Sequence, residues 1–353
     1  MDFKLKPIII PFFISHEGCP HRCVFCNQQV ITGVSGTGGL SGVTVVDQVR
    51  SRLAELNEVS PARIQVAFYG GSFTCLSFER QRELLGAVRP FMDSGQVASI
   101  RISTRPDAID QARMDLLAKS GVTTVELGIQ SLDDQVLAES GRGHTTADSI
   151  KAVRTLKDAG FQVGGQLMIG LPGEGFARLY RGARQLADLR PDFVRLYPVL
   201  VLGGSRLAVL YREQRYRPWS LVRAVIGCGW LKQLFDAQGI RVIRMGLQAA
   251  SGLEDELVAG PYHPAFGELV LSRNLLKRVR IALRRYRNSG AKTLAIAACD
   301  ESVFRGADNI NLLRLRRLGL LEGVEVVFRQ DLTRNQFMIS PVDERGYPIS
   351  SPP

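Results

Sequence analysis

The chain has 353 residues, enough to bury a large hydrophobic core, and we expect one main domain with a small appendage. Its formal net charge of +11 favours a polyanionic partner. No apolar run reaches the length of a membrane span, and the six cysteines, three of them in one short run, indicate a reducing cytoplasm instead of a disulfide framework.

The first predicted element is a buried strand over Ile8–Ile14, and it leads into a loop that is rich in cysteine. Because the strand follows Met1 almost at once, we expect no signal peptide. The loop contains Cys19-Pro-His-Arg-Cys23-Val-Phe-Cys26, which places three thiols within eight residues. Thiolates are soft ligands that suit zinc or iron–sulfur clusters.

The cysteine spacing leaves two kinds of metal site open. Structural zinc needs four protein ligands, and His16 or His21 would complete a Cys3His site. Three cysteines without a fourth also fit a [4Fe–4S] cluster whose remaining iron is open to a small molecule.

After a glycine-rich segment (Gly33–Gly42), strand and helix patterns alternate. Helices are predicted at Val45–Leu56, Phe78–Met92, Ala108–Ser120, Ser149–Ala159 and Phe176–Leu189. Further strands are predicted at Arg63–Phe68, Val97–Ile102, Thr123–Ile129, Gln162–Ile169 and Phe193–Tyr197. This alternation implies parallel pairing with right-handed crossovers. It fits a βα barrel or a doubly wound sheet, and both bind ligands at the carboxyl ends of the strands.

Beyond Tyr197 the alternation weakens. The predicted elements are the helix Trp219–Gln238, a short strand at Ile240–Ile243, a loop-rich stretch over Gly246–Gly267 and the helix Phe266–Tyr286. We place a boundary near Asn288, so that residues 1–288 form the main domain with a core at about 7–200. A small α/β region over 289–346 follows, with Thr293–Ala297, Asn311–Leu318 and Val324–Phe328 as strand, helix and strand, and the tail 347–353 is predicted to be disordered.

Basic side chains are concentrated near this boundary. The segment Lys277–Arg287 carries six Lys or Arg residues in eleven, and Arg314–Arg317 repeats the pattern on a smaller scale. Such a cationic face can bind along the phosphate backbone of a nucleic acid, or it can be an ordinary solvated helix surface.

The cysteine spacing, with Phe25 before the last cysteine, resembles the signature of the radical S-adenosylmethionine (SAM) enzymes. Further runs follow in the order seen in the branch that contains the Elongator catalytic subunit and, more distantly, the oxygen-independent coproporphyrinogen oxidase. These runs are Tyr69-Gly-Gly-Ser-Phe73, Ser103-Thr-Arg-Pro-Asp107, Glu126-Leu-Gly-Ile-Gln-Ser131, Arg142-Gly-His-Thr145 and Leu167-Met-Ile-Gly-Leu-Pro-Gly173. The resemblance covers about residues 7–270. It implies an α/β fold, a partial (β/α)6 TIM-like barrel with a small C-terminal α/β appendage.

The resemblance also implies two cofactors, a [4Fe–4S] cluster and SAM. The cluster would be bound by Cys19, Cys23 and Cys26. Gly70 and Gly71 would receive the SAM amino group, because glycine allows the backbone to approach a ligand closely, and Ser72 would add its hydroxyl.

Three further polar residues correspond to SAM contacts in the oxidase. Gln130 and Arg142 follow strand four, and Arg142 suits the SAM carboxylate, while Gln166 stands where the oxidase has an Asp for the ribose. Ser103 departs from the Elongator branch, which has Glu there, so that Arg105 and Asp107 become the more plausible functional residues of that run.

His144 faces the substrate or helps Thr145 or Thr146 to cap a helix, and the sequence does not separate these roles. Cys75, Cys228 and Cys299 have no partner at ligand spacing and are expected to be small buried hydrophobes.

The resemblance implies an enzyme that cleaves SAM reductively to a 5′-deoxyadenosyl radical. With the basic charge, it favours RNA as the substrate, most simply a tRNA uridine, and a reductant such as flavodoxin or ferredoxin as electron donor. The Elongator subunit's acetyltransferase domain has no predicted counterpart, so acetyl-coenzyme A does not carry over. The alternatives are a radical SAM enzyme for a small carboxylated molecule and a metal-binding module without turnover.

Overall fold

The computed structural model describes residues 7–14, 17–20, 22–27, 40–56, 59–247, 252–286 and 292–341. The proposed zinc ligands His16 and His21, most of the glycine-rich segment, the boundary near Asn288 and the tail 347–353 lie outside these residues. The chain divides into two compact units, Met1–Pro264 and Ala265–Pro353. No helix of the described residues is long and apolar enough to cross a lipid bilayer.

The first unit is built on a parallel sheet of seven strands that forms a partial barrel. Neighbouring strands follow the chain: β1 (Ile8–Ile14), β2 (Ile64–Gly70), β3 (Ser99–Thr104), β4 (Val122–Gln130), β5 (Gln162–Ile169), β6 (Phe193–Pro198) and β8 (Arg241–Met245). The short strands β7 (Val201–Leu202) and β9 (Leu257–Ala259) form a separate antiparallel pair.

The helices of this unit connect the strands. They are α1 (Gly42–Glu55), α2 (Phe78–Asp93), α3 (Gln111–Lys119), α4 (Asp134–Glu139), α5 (Thr146–Asp158), α6 (Phe176–Asp188), α7 (Arg206–Arg212) and α8 (Leu221–Ala237). All but α6 begin after a residue whose side chain accepts a hydrogen bond from the backbone N–H three residues on: Ser41, Ser77, Asp110, Asp133, Thr145, Ser205 and Ser220. Such caps satisfy N–H groups that have no partner within the helix.

The predicted fold class is confirmed, and the strands Ile8–Ile14 and Gln162–Ile169 are predicted to the residue. The short strand predicted at Ile240–Ile243 is present as β8, and it pairs with β6 as a seventh parallel strand, where the prediction had six strands in the barrel. The weak hydrophobic pattern of β8 in the sequence has a physical reason. The strand lies at the end of the sheet order, where polar side chains such as Arg241 remain exposed.

The second unit has its own sheet and its own hydrophobic core. Its strands are ordered β11 (Val324–Arg329), β10 (Lys292–Ala297) and β12 (Phe337–Pro341), with β10 parallel to β11 and antiparallel to β12. Three helices accompany them: α9 (Phe266–Arg285), α10 (Glu301–Arg305) and α11 (Ile310–Arg317). The predicted strand–helix–strand order is confirmed, and β12 is an addition to it.

Helix α9 belongs to this second unit, whereas we predicted it as an extension of the main domain. The reason is its apolar stripe. Leu276, Val279 and Leu283 are buried in one cluster with Leu294 of β10 and Leu315 of α11. The division therefore falls before α9, between Pro264 and Ala265.

The loop after β5 closes around a buried carboxyl group, that of Glu174. The Gly170 N–H donates to Glu174 Oε2 at 2.7 Å, and the Tyr216 hydroxyl donates to the Gly170 carbonyl at 2.6 Å. Burial raises the pKa of Glu174 to about 8, although the hydrogen bond from Gly170 acts in the opposite direction. Glu174 therefore carries a proton in most folded molecules at neutral pH.

The substitution Glu174→Gln should remove a pH-dependent part of the free energy of unfolding. The pKa of Glu174 rises on folding from 4.5 to about 8, so folding takes up a proton between these values. The contribution is fully present below the unfolded pKa and is lost as the pH rises through the folded one. From pH 5 to pH 9, denaturant titrations should show the stability of wild type relative to the variant falling by about 2–4 kcal/mol. A difference that stays constant with pH would contradict this assignment.

Candidate cofactor site at the carboxyl ends of the strands

The loop that carries the three cysteines is fixed to the barrel by backbone hydrogen bonds. Val24 N donates to the Ser140 carbonyl at 3.1 Å, and Leu207 N donates to the Val24 carbonyl at 2.7 Å. The Asn27 side chain donates to the Gly203 carbonyl at 2.7 Å. These contacts hold the loop against the segments that follow β4 and β7, although the loop has no regular secondary structure.

Hydrophobic packing supports the same loop. The Val24 and Phe25 side chains are buried in a cluster that includes Leu171 and Leu207. The two apolar residues between Cys23 and Cys26 therefore point into the protein core and position the flanking thiols.

The three predicted cluster ligands are half-buried cysteines. Cys19 Sγ lies 3.7 Å from Ser72 Oγ, and Cys23 Sγ accepts a hydrogen bond from Arg142 Nη1 at 3.1 Å. Cys26 N donates to the Cys23 carbonyl at 3.1 Å. Two thiols thus lie against predicted SAM-binding residues. In the part of the chain that the structure describes, no three His, Cys, Asp or Glu side chains are grouped closely enough to hold a metal ion.

The Gly70–Gly71 turn is pressed against the start of the cysteine loop. Gly71 N donates to the Ile14 carbonyl, and Ser72 N donates to the Glu17 carbonyl, both at 3.0 Å. A Cβ on Gly71 would lie 2.0 Å from the Glu17 oxygen, and Gly70 has a φ of +99°. Both positions therefore require glycine for backbone reasons, independently of any ligand.

Arg142 connects the cysteine loop to β4. Besides its bond to Cys23, it donates from Nη2 to the Gly128 carbonyl at 2.5 Å. Arg105 Nη2 donates to the Arg142 carbonyl at 2.5 Å, and the same guanidinium binds Asp107 at 2.9 and 3.0 Å. Arg142 is thus held at both ends, and its buried Nε has no hydrogen-bond partner among the described residues.

Gln130 and His144 lie beside this arginine. Gln130 has a φ of +67°, a strained conformation for a residue other than glycine, at an irregularity in the pairing of β4 with β5. Burial, and then the positive charge of Arg142, lower the pKa of His144 to about 4, so the imidazole is neutral. His144 Nε2 lies 3.3 Å from the Ile129 carbonyl and is therefore the protonated nitrogen. Helix α5 is capped by Thr145, not by His144.

Among the residues that the structure describes, four buried polar atoms in this set of contacts have no hydrogen-bond partner. They are Arg105 Nη1, Gln130 Oε1, Arg142 Nε and His144 Nδ1. Buried polar atoms are nearly always paired in folded proteins, so a group of two donors and two acceptors without partners indicates a ligand site.

A second polar cluster lies deeper in the barrel around Glu126, which is fully buried. Arg101 Nη1 and Arg195 Nη2 donate to Glu126 Oε1 at 2.9 and 3.0 Å, and the Tyr69 hydroxyl lies 3.2 Å from the same oxygen. Burial, and then the negative charge of Glu126, raise the pKa of Tyr69. Gln166, predicted to bind SAM, donates to Glu126 Oε2 at 3.3 Å.

Sequence reasoning missed Arg101 and Arg195 as members of this cluster. The available signal was a charged residue inside a strand, Arg101 within Ser99–Thr104 and Arg195 within Phe193–Pro198. Ser103 also has a structural role, because its hydroxyl accepts a hydrogen bond from Gln166 at 3.2 Å.

A cavity of about 550 Å³ borders the cysteine loop on the side of Cys19. Its walls include Cys75, Asp107 and Arg113. Cys75 is therefore a half-buried cavity residue, and Cys299 is exposed, so the expectation of buried hydrophobes is wrong for both and correct for Cys228. Short connecting segments, which carry Cys75 and Cys299, gave no burial signal in the sequence.

Two family models match the chain. Residues 13–181 match the radical SAM superfamily, and residues 191–277 match the radical SAM C-terminal domain. Together the two matches cover more than half of the sequence.

Several curated proteins are similar to the chain. The tRNA uridine(34) acetyltransferase of Methanocaldococcus jannaschii is 27% identical over 253 residues, which cover 62% of this chain and 47% of the relative. Elongator complex protein 3 of Saccharomyces cerevisiae is 28% identical over 265 residues, covering 62% and 48%. The chain spans about half the length of these relatives.

A solved structure of Elp3 from Methanocaldococcus infernus, with an N-terminal deletion, has the same fold. It superposes with a TM-score of 0.60 at 23% identity, covering 78% of this chain and 64% of that chain.

The substitution Glu126→Gln should destabilise the fold strongly. It removes the carboxylate that lies between Arg101 and Arg195 and leaves two buried guanidinium groups without a counter-charge. The expected loss is about 3–5 kcal/mol in the free energy of unfolding, measured by denaturant titration. Glu83→Gln is the matched control, because Glu83 pairs with Arg80 at a side-chain exposure of 45% and should cost less than about 1 kcal/mol. Equal losses in both variants would contradict the role of the buried cluster.

The substitution Gly71→Ala should disturb the contact between the glycine turn and the cysteine loop. Its methyl group meets two backbone carbonyls, so we expect a loss of about 1–3 kcal/mol in stability. Gly86→Ala in helix α2 is the control. No atom lies within 4 Å of its added Cβ, and alanine should stabilise the helix by about 0.5–1 kcal/mol. Thermal and denaturant unfolding would measure both, and a neutral Gly71→Ala variant would count against this packing.

Proposed function

The chain belongs to the radical SAM superfamily of enzymes, and from this membership we propose that it binds a [4Fe–4S] cluster and SAM at the carboxyl ends of its strands. The proposed cluster ligands are Cys19, Cys23 and Cys26. When bound, the cluster supplies the electron that cleaves SAM to methionine and a 5′-deoxyadenosyl radical.

The observation that carries the proposal for SAM is the group of four unpaired buried atoms. Arg105 Nη1 and Arg142 Nε are donors, which suit the carboxylate of SAM. Gln130 Oε1 and His144 Nδ1 are acceptors, which suit its amino group or ribose hydroxyls. These two donors and two acceptors are of the kinds that a zwitterionic nucleoside ligand would need.

The remaining site residues orient these groups. Arg142 holds Nη1 on the Cys23 sulfur and Nη2 on the Gly128 carbonyl, which leaves its buried Nε–H for a ligand. Gln166 uses its amide nitrogen for Ser103 and Glu126, which leaves its carbonyl oxygen for a ribose hydroxyl. The Gly70–Gly71 turn has no side chain to obstruct the backbone there.

We propose a tRNA uridine as the substrate, modified in the cytoplasm with electrons from a flavodoxin or ferredoxin. The support comes from the relatives, which are named as tRNA uridine(34) acetyltransferases and Elongator complex protein 3, and from the net charge of +11. A small carboxylated molecule is the alternative substrate, and the experiment below separates the two.

The test begins with anaerobic reconstitution of the full chain. We expect about four irons per protein and release of 5′-deoxyadenosine when SAM and a reductant are added. The variant Cys23→Ala should lose both, while Cys299→Ala, an exposed thiol of the second unit, should keep both. A colourless protein with one zinc ion would contradict the proposal and support a binding module.

The substrate is tested by the nucleoside profile of tRNA from a deletion strain. We expect one modified uridine to be missing, restored by the wild-type gene and by Cys299→Ala but not by Cys23→Ala. An unchanged profile, together with intact SAM cleavage in vitro, would reject tRNA and favour the small carboxylated molecule.

A further inference from the structure

The second unit carries a disproportionate share of the positive charge. Residues 265–353 contain 15 Lys and Arg against nine Asp and Glu, a net charge of +6 out of +11 for the whole chain. Most of these cations lie on helices α9 and α11, whereas the sheet of this unit carries few.

Four cations form one stripe along α9: Arg273, Lys277, Arg280 and Arg284. Their spacings of four, three and four residues place them on one side of the helix. The stripe runs beside the apolar stripe that is buried in the core, and it extends for roughly 16 Å at the helical rise of 1.5 Å per residue.

Helix α11 brings further arginines to the same stripe. Asn311 Nδ2 donates to Ser272 Oγ at 2.7 Å, which fixes the first turn of α11 beside α9. Arg314 follows Asn311 by one helical turn and lies close enough to Arg273 that its charge, after burial, lowers the pKa of Arg273. Arg317 continues this side of α11 by one more turn.

None of these six cations forms an ion pair with a described carboxylate. The ion pairs of the described second unit are made by other arginines: Arg305 with Glu301 at 2.7 Å, Arg329 with Asp331 at 2.5 Å and Arg334 with Asp300 at 3.9 Å. Arg273 Nη1 and Arg280 Nε are buried without a hydrogen-bond partner in the described structure. Like charges brought together while their buried N–H groups lack acceptors indicate a site for an anion.

We infer that Arg273, Lys277, Arg280 and Arg284 of α9, with Arg314 and Arg317 of α11, bind the phosphate backbone of an RNA strand. This inference rests on the proposed function, which supplies the class of RNA. Four of these residues, Arg280, Arg284, Arg314 and Arg317, lie beyond residue 277, outside the matched family models.

A polyanion fits this surface better than a single anion. The cations recur about once per helical turn over roughly 16 Å, as a ligand with evenly spaced charges requires. Five of the six are arginines, whose planar fork binds phosphate oxygens in pairs. Contacts of this kind give affinity that falls steeply with salt and depends little on base sequence.

The test measures the affinity of the full-length protein for an unmodified tRNA transcript between about 50 and 200 mM KCl, the range in which such contacts weaken strongly. The test variant combines Arg273→Gln, Lys277→Gln and Arg314→Gln. The matched control combines Arg305→Gln, Arg329→Gln and Arg334→Gln, which removes the same charge from the same unit at paired arginines.

We expect the test variant to bind tRNA at least tenfold more weakly than the wild type. In a plot of the logarithm of the association constant against the logarithm of the KCl concentration, the magnitude of its slope should be smaller by about two to three, while the control keeps the wild-type slope. The exposed pair Lys277→Gln with Arg314→Gln should lower the slope by about one to two, so the test does not depend on folding around the half-buried Arg273.

Equal slopes in wild type and test variant would overturn this inference and leave the tRNA proposal standing. No binding of tRNA by the wild type would overturn both. Binding of vesicles with 30% anionic lipid, lost in the test variant while tRNA binding is retained, would identify the surface as a membrane site and would also overturn the inference.

Discussion

One guanidinium group, that of Arg142, joins the loop that carries the cysteines to the sheet. It bonds to the Cys23 sulfur and to the Gly128 carbonyl, and Arg105 fixes its backbone. Because the loop itself is irregular, its sulfurs depend on such contacts and on the buried Val24 and Phe25 for their position. The position of the Cys23 sulfur relative to the strand ends therefore depends on side chains of two neighbouring strand-to-helix connections, after β3 and after β4.

The barrel interior contains two clusters of polar side chains, one around Glu126 and one around Arg142, and they differ in how completely their hydrogen bonds are satisfied. Around Glu126 one buried carboxylate pairs with two arginines and most of the hydrogen bonds are internal, although Arg101 Nε lacks a hydrogen-bond partner among the described residues. Around Arg142 and Gln130 more of the buried atoms lack partners among the described residues, and one residue is held in a strained conformation. Unsatisfied groups and backbone strain cost stability, so their concentration in one place is typical of a site that a ligand completes.

The sequence was sufficient to place the parallel strands to within two residues, because their extents follow from local hydrophobic patterns. It was not sufficient for contacts between strands. The pairing of Arg101 and Arg195 with Glu126 depends on the register of four parallel strands, which no local pattern encodes. Short elements such as α4 and α7 were missed because six or seven residues do not establish a helical period. Helix α9 could not be assigned to the correct unit from the sequence, because the sequence does not show which hydrophobic core its apolar side packs into.

We propose that the unpaired atoms around Arg142 bind SAM next to an iron–sulfur cluster on the three cysteines. The most direct measurement is the electron paramagnetic resonance spectrum of the reduced, anaerobically reconstituted protein during a titration with SAM. We expect an iron–sulfur signal whose g-values shift and reach saturation as SAM is added. The SAM concentration at half-saturation should be higher in Gln130→Ala than in the wild type. A signal that SAM leaves unchanged, or the same saturation curve in wild type and Gln130→Ala, would contradict it.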